Sequence, residues 1–259
     1  MTSLSATSSP TPPLASPLAS PQASPLASPL ASPLASPPTS PPTSPPASPP
    51  TSPQSLHADA RATTQAGGGL LLTVDRLWGA APGAAPWATL RLSREGDELV
   101  VRAESAWRGT PPPPGPLGAT WGLWEREAVE CFVVGAGEEY LELELGPQGH
   151  HLALTLKGVR RPARWFLPVR YAARRHPARL GRPWEEGEPW RGEARLSAAL
   201  LPPPLVDEEG ALGYGVYACG CWGAPKERRY ATSCDLGGGA PDFHRVARAP
   251  WRPLSALAP

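Results

Sequence analysis

The sequence predicts an all-β fold, a sandwich or barrel of short antiparallel strands, on three observations. Apolar and polar residues alternate in run after run, and turn residues punctuate these runs roughly every 8 to 12 positions. No stretch carries a sustained helical period, so an α/β fold is excluded. The clearest stretch, Leu123 to Leu156, spans three consecutive strands.

The 259 residues divide by composition: 38 prolines are concentrated near the start, where Ser-Pro recurs every four residues from Ser16 to Pro53. Such a tract blocks helix and sheet and holds too little apolar surface to offset its conformational entropy. Residues 1–66 are therefore expected to be a disordered Pro/Ser/Ala-rich tail, partly polyproline II, and residues 67–259 the folded domain. For the tail, a spacer, a Ser-Pro phosphorylation platform or a ligand for Pro-reading domains stand against a neutral repeat or a start placed too far upstream.

A formal charge of +1 argues against nucleic-acid or membrane partners. Isoleucine and asparagine are absent and only Lys157 and Lys226 accompany the arginines, the bias of a GC-rich gene. No apolar stretch reaches spanning length and no secretory signal is visible, so the expected compartment is the cytoplasm. Cys131, Cys219, Cys221 and Cys234 are too few for a disulfide scaffold and are expected as reduced, buried thiols.

In chain order, Leu70 to Val74 is an apolar entering strand. Ala88 to Leu92 and Glu98 to Ala103 alternate across the Glu95-Gly96-Asp97 turn, predicting a hairpin with one wet face. The Pro- and Gly-rich segment from Trp107 to Trp121 is irregular. A meander follows: Ala128 to Val134, Tyr140 to Leu145 with its leucines opposite its glutamates, and His150 to Leu156 with Leu152, Leu154 and Leu156 inward. Further strands are expected at Trp165 to Tyr171, Trp190 to Leu196, Tyr214 to Trp222, Arg228 to Ser233 and Phe243 to Val246, with one helical turn at Ser197 to Leu201.

Two constellations carry chemistry. Glu142 and Glu144 share a face by period 2, Glu130 joins them if the strands pair, and Glu127 lies just before. Crowded carboxylates need partners: arginine, the first expectation for any single residue; sugar hydroxyls; or Ca²⁺. A glycosidase pair fits the spacing, but the sequence marks neither carboxylate as an acid of raised pKa. The second constellation is ten tryptophans, whose faces stack on the C–H faces of pyranose rings. Trp124, Trp190 and Trp222 join apolar runs and predict core, while Trp121, Trp165 and Trp184 fit core or cleft equally. His150 and His151 face opposite ways in a strand and cannot share a metal. Cys219 and Cys221 with distant Cys234 lack zinc spacing. Asp242 and His244 could assist a nucleophile such as Ser233, though the tripeptide with Phe243 more simply caps a strand, and no nucleophile elbow is present.

The pattern from Leu123 to Phe132, the run from Tyr140 to Leu152, the strand from Trp190 to Leu196, Arg229-Tyr230 and Pro241 to Arg245 together resemble an uncharacterised set of DOMON-like proteins related to family 9 carbohydrate-binding modules. The resemblance covers about residues 70–254. It implies a jelly-roll-like sandwich of two antiparallel sheets with a ligand on the concave sheet, sugar or haem b in the wider superfamily. Such haem sites commonly use a Met ligand, and the sole methionine here is Met1. The expectation is a non-catalytic binding protein for a carbohydrate or other polyhydroxylated ligand, without cofactor. Its candidate ligand-binding residues are Trp121, Trp124, Glu127, Glu130, Glu142, Glu144, His150, Trp165, Arg229, Asp242 and His244. A hydrolase using paired carboxylates and an interaction module recruiting through its tail are the alternatives. The sequence sets no oligomeric state.

Overall fold

The computed structural model describes residues 68–83, 85–175 and 180–259; the tail expected over 1–66 lies outside the described residues. The first strands are Leu70–Val74 (β1), Arg76–Leu77 (β2), Ala88–Glu95 (β3), Glu98–Ala106 (β4) and Gly118–Ala119 (β5). Ala128–Val134 (β6), Glu139–Leu145 (β7) and His150–Lys157 (β8) form the expected meander. Pro162–Arg164 (β9), Arg170–Arg175 (β10), Pro189–Ser197 (β11) and Leu205–Val206 (β12) follow, then Leu212–Trp222 (β13), Arg229–Thr232 (β14) and Trp251–Pro253 (β15).

These strands make the two-sheet sandwich that the alternation predicted. The smaller sheet runs β1-β3-β4-β11-β10, and the larger runs β2-β14-β13-β6-β7-β8-β5, with β12 and β15 also on β13 and β9 on β8. Pairing is antiparallel apart from the two-residue β5, which lies parallel to β8. Between the sheets, Leu72, Leu90, Leu92 and Val101 of one meet Val129, Cys131, Leu141, Leu143 and Leu145 of the other. Each leucine so enclosed contributes roughly 2 kcal/mol of hydrophobic stabilisation. Gly220 on β13 is required by close approach, since a Cβ there would stand 1.6 Å from the Trp87 ring, which stacks on Trp222 at 4.7 Å.

One expectation about faces is overturned. The turn after β7 sets Leu145 opposite His151, so Ala153 joins Leu143 in the inter-sheet core. Leu152, Leu154 and Leu156 instead stand opposite Glu144, Glu142 and Tyr140 on the far side of the larger sheet. There they join Leu123, Phe132, Tyr217, Leu236 and Phe243 in a second apolar layer. The segments carrying Leu123, Leu236 and Phe243 cover that face, and all seven residues of β6 are consequently buried.

Two strand assignments also change. Trp165 and Phe166 lie in a bend between β9 and β10 rather than opening a strand. Phe243 is a buried loop residue, and the last strand is β15. Both segments carry strand-forming aromatics whose burial or display is set by loop contacts. The expected turn after β11 is present as a short 3₁₀ turn, Ala198–Leu200, with the Ser197 hydroxyl accepting from the Ala199 N–H. No helix among the described residues is long and apolar enough to cross a membrane.

Candidate functional site

The pairing of β6 with β7 places Glu130 directly opposite Glu144, with Glu142 opposite Phe132 on the same face. The sequence therefore identified the neighbours, but not their surroundings. Glu130, Glu142 and Glu144 are 2%, 5% and 0% exposed, sealed beneath the second apolar layer rather than lining an open cleft. The expectation that arginine neutralises them is also overturned: no arginine lies within ion-pair distance of any of the three among the described residues. The ionisable contacts are instead the Cys221 thiol, 3.5 Å from Glu130 Oε1, and His244, whose Nε2 lies 3.9 Å from Glu142 Oε1 and whose Nδ1 lies 2.8 Å from the Tyr140 hydroxyl. That hydroxyl also accepts the Arg160 N–H at 3.0 Å.

Burial, offset only in part by the more distant charges of Arg228 and Arg160, decides the protonation of this row. Desolvation raises the Glu130 carboxyl to about 7 despite the thiol of Cys221 at 3.5 Å. Desolvation and then the charge of Glu130 raise Glu142 to about 8. Glu144 stands well above the carboxylate range for the same reasons: the Trp124 backbone amide offsets only part of the desolvation, and neither carboxyl oxygen has a partner in full hydrogen-bond geometry. Burial lowers His244 to about 4, so its imidazole is neutral. The row therefore favours the protonated acid over much of the pH range in which an exposed glutamate is ionised, and in that form each carboxyl can donate as well as accept a hydrogen bond.

Over Glu130 and Glu144 lies the turn that presents the tryptophans. Gly122 adopts φ 78°, turning the chain so that Leu123 plunges inward at 1% exposure while Trp121 and Trp124 flank it outside. Leu123–Glu125 is a single 3₁₀ turn whose end carbonyls have no helical acceptor role left. The Arg228 guanidinium donates to the Glu125 carbonyl at 2.8 Å, to the Arg126 carbonyl at 2.5 Å and to the Trp124 carbonyl, and it reaches Cys221 Sγ at 3.0 Å. Glu127, 3% exposed, accepts the Arg108 N–H at 2.8 Å and the Thr110 N–H at 3.4 Å, a structural commitment of both oxygens; burial still raises it to about 7.

From the other side comes the loop after β9. Leu167 is buried and its N–H donates to the Ala153 carbonyl at 2.9 Å, which fixes the loop on β8. Phe166 takes the left-handed φ of 50°, unusual for a bulky residue, and both it and Trp165 project outward. The result is one surface cluster. Trp121 stands 4.6 Å from Trp124 at 90°, 4.7 Å from Trp165 and 6.3 Å from Phe166. Their exposures are 50% for Trp121, 36% for Trp124, 50% for Trp165 and 49% for Phe166.

The structure thus unites Trp121, Trp124 and Trp165, and corrects Trp124 from core to surface. Trp190 is core, as expected; Trp222 is half-buried against Trp87, and Trp184 is half-buried beneath the Arg175 guanidinium at 4.3 Å. His150 is buried with Nδ1 2.9 Å from the Thr120 hydroxyl, while His151 turns the other way onto Tyr171. Asp242 pairs with Arg160 at 3.0 Å and accepts the His244 N–H, a local cap within a loop rather than at a strand. Arg229 is exposed at the start of β14; its neighbour Arg228 is the one that braces the site. Phe166, Tyr140, Cys221 and Arg228 were missed because their roles come from loop geometry and cross-strand register. Among the described residues no group of three or more His, Cys, Asp or Glu side chains is arranged to hold a metal ion.

The chain is 30% identical over 174 residues to a zebrafish (Danio rerio) protein, the UPF0462 protein C4orf33 homolog, a match spanning 65% of this chain and 81% of the relative. The chain belongs to the UPF0462 family. The human UPF0462 protein C4orf33 is 32% identical over 137 residues, covering 51% of this chain and 63% of the human protein. No family model matches this UPF0462 chain. Among solved structures it is similar to a candidate carbohydrate-binding protein from Bacteroides uniformis, at TM-score 0.49 and 15% identity over 70% of this chain and 84% of that one. A family 9 carbohydrate-binding module from Caldicellulosiruptor kristjanssonii, solved with cellotriose, gives TM-score 0.38 and 14% identity over 63% and 72%. Both values are too low to carry a ligand or a site across to this chain.

Proposed function

We propose that this UPF0462 chain is a non-catalytic binding protein for a carbohydrate or similar polyhydroxylated ligand, docked on the rings of Trp121, Trp124, Trp165 and Phe166. The observation that carries the reading is the convergence of four half-exposed rings from two separate loops, each loop pinned by one buried leucine. A soluble domain gains nothing in stability from displaying indoles, whereas a pyranose presents the apolar C–H face that an indole covers. The resemblance to DOMON-like and family 9 modules supports the same ligand class. The ligand face moves with respect to the sequence expectation: it is the aromatic surface above the glutamate row, and the row lies beneath it.

The test is titration of the protein with a panel of mono- and oligosaccharides, followed by intrinsic tryptophan fluorescence. A saturable change for at least one sugar, weakened tenfold or more by Trp121→Ala, is the expected outcome (about 1.4 kcal/mol or more, within the range of one lost stacking contact). Silence across the panel, or an unaltered response in Trp121→Ala and Trp165→Ala, overturns the reading. The hydrolase alternative has one observation on its side, the raised acids Glu130 and Glu142 on one face with His244 3.9 Å from Glu142, and it predicts turnover that Glu142→Gln abolishes without unfolding.

A further inference from the structure

Among the described residues Arg76, Arg248 and Arg252 make no ion pair, and Arg76 and Arg248 lie against the loop from Asp235 to Ala240. Arg76 on β2 stands opposite Thr232, and Arg252 on β15 stands opposite Tyr214; the Nε of each is buried without a partner. The remaining contact of Arg252 is a long bond from Nη1 to the Trp251 carbonyl at 3.3 Å. Arg248 is exposed, and its guanidinium lies 3.1 Å from where a Cβ on Gly237 would be. A guanidinium is always charged, and an N–H withdrawn from water with no acceptor costs about 1 to 3 kcal/mol or more, so the buried Nε of Arg76 and that of Arg252 call for one, while Arg248 adds an exposed positive charge beside Gly237.

Beside them is a cavity of about 260 Å³, lined by Arg76, Trp78, Thr232, Asp235, Gly237 and Gly238 among others. Its glycine loop is turned to donate. Gly237 and Gly239 both have φ of 86°, and Gly238 between them is outside the left-handed region. This alternation of hand is the geometry in which successive backbone N–H groups form an anion-binding concavity. The carbonyls of Leu236, Gly238 and Ala240 are taken by Arg245, and that of Gly239 by the Trp78 indole. The N–H groups of Gly238 and Gly239 have no hydrogen-bond partner among the described residues. One carboxylate opposes this set, Asp235, and its Oδ1 already accepts the Gly237 N–H at 2.8 Å.

We propose that this pocket binds a phosphate group, either the free ion or the monoester end of a small molecule. Donors approaching from several directions suit an anion with several oxygens, where a carboxylate would satisfy two of them. The site shares no residue with the aromatic platform and stands independently of the sugar reading.

The experiment uses the full chain with inorganic phosphate and, separately, glycerol phosphate, against sodium chloride of matched ionic strength. Ligand binding only to the folded state raises Tm with concentration, and Trp78 in the cavity wall supplies a fluorescence change that Trp78→Phe removes. The expected result is a saturable Tm increase below about 20 mM phosphate. Arg76→Gln and Arg248→Ala should each weaken it about tenfold, the loss of one charge-assisted contact. Trp121→Ala should leave it unchanged. Tighter binding of glycerol phosphate assigns the monoester, and equal binding assigns the free ion. Arg248 is exposed, so its variant folds even if Arg76→Gln disturbs β2. No increase beyond the chloride control, or an increase untouched by both variants, overturns the proposal.

Discussion

Glu130, Glu142 and Glu144 show what one residue type does when the surroundings change. The carboxyls of Glu127 and Glu130 are raised from the ordinary 4.5 to about 7, that of Glu142 to about 8, and that of Glu144 well above 4.5, so at these groups the folded chain holds more protons than the unfolded one from about pH 4.5 upward. Stability contributed by these groups is full below about pH 4.5 and falls as pH rises through their folded values. His244 works in the opposite sense. Its imidazole is depressed from 6.5 to about 4, and His150 and His151 are lowered too, so stability falls as pH drops below 6.5. The two trends oppose each other below pH 6.5, and above it only the carboxyl trend remains. Calorimetric Tm should therefore decline between about pH 6.5 and pH 8. Glu142→Gln, which keeps the shape and cannot ionise, should flatten that decline and raise Tm at pH 8 by roughly 2 to 4 °C per kcal/mol recovered. A Tm that holds level or climbs across that window would mean that the row ionises freely and the cover is open to water.

At the scale of elements, the strands were legible and the loops were not. Leucine alternation in β7 fixed the face of Leu141, Leu143 and Leu145, because period 2 leaves an antiparallel strand no other choice once one face is buried. The same alternation in β8 gave the wrong face, since pairing register depends on the turn between the strands and the two faces of this sheet are both apolar. The cover over the glutamates comes from Leu123, Leu236 and Phe243, positions distant in sequence from the row, and no local pattern announces it. Trp165 and Phe166 resembled a strand by residue type; the buried Leu167 behind them makes the loop a display instead. Arg228 carries a comparable role for Trp124, bonding three successive carbonyls. Arg228→Ala should speed amide hydrogen exchange at residues 123–126 and lower Tm by a few degrees, about 1 to 3 kcal/mol for carbonyls left without donors. Arg229→Ala, a change at an exposed side chain, should leave both within about 0.5 kcal/mol of the parent. Equal effects from the two variants would remove Arg228 from the bracing of the turn.

Over the whole domain, the ion-pair networks stay on solvated strand faces, away from the buried glutamate row. The smaller sheet carries most of its ion pairs in one network, Arg102 with Glu95 and Glu193, Arg195 with Glu95, Glu98 and Glu193, and Arg170 with Glu98, with Arg191–Glu104 and Arg175–Glu188 apart from it. These pairs are mostly partly exposed and each adds little to stability, while the middle strands of the larger sheet lie between two apolar layers. Among the described residues those layers run from Leu70 to Leu257. The Ser-Pro composition of residues 1–66, poor in aromatic and β-branched aliphatic side chains, predicts that they add nothing to this core. Deleting them should leave Tm within about 2 °C of the full chain, a change under about 1 kcal/mol for a domain of this size, and leave the sugar response intact. A larger fall in Tm would mean that the tail packs on the domain. Unchanged Tm with loss of a captured protein partner would instead favour recruitment by the Ser-Pro repeats, because a segment of that composition can bind through its extended backbone without contributing to a core.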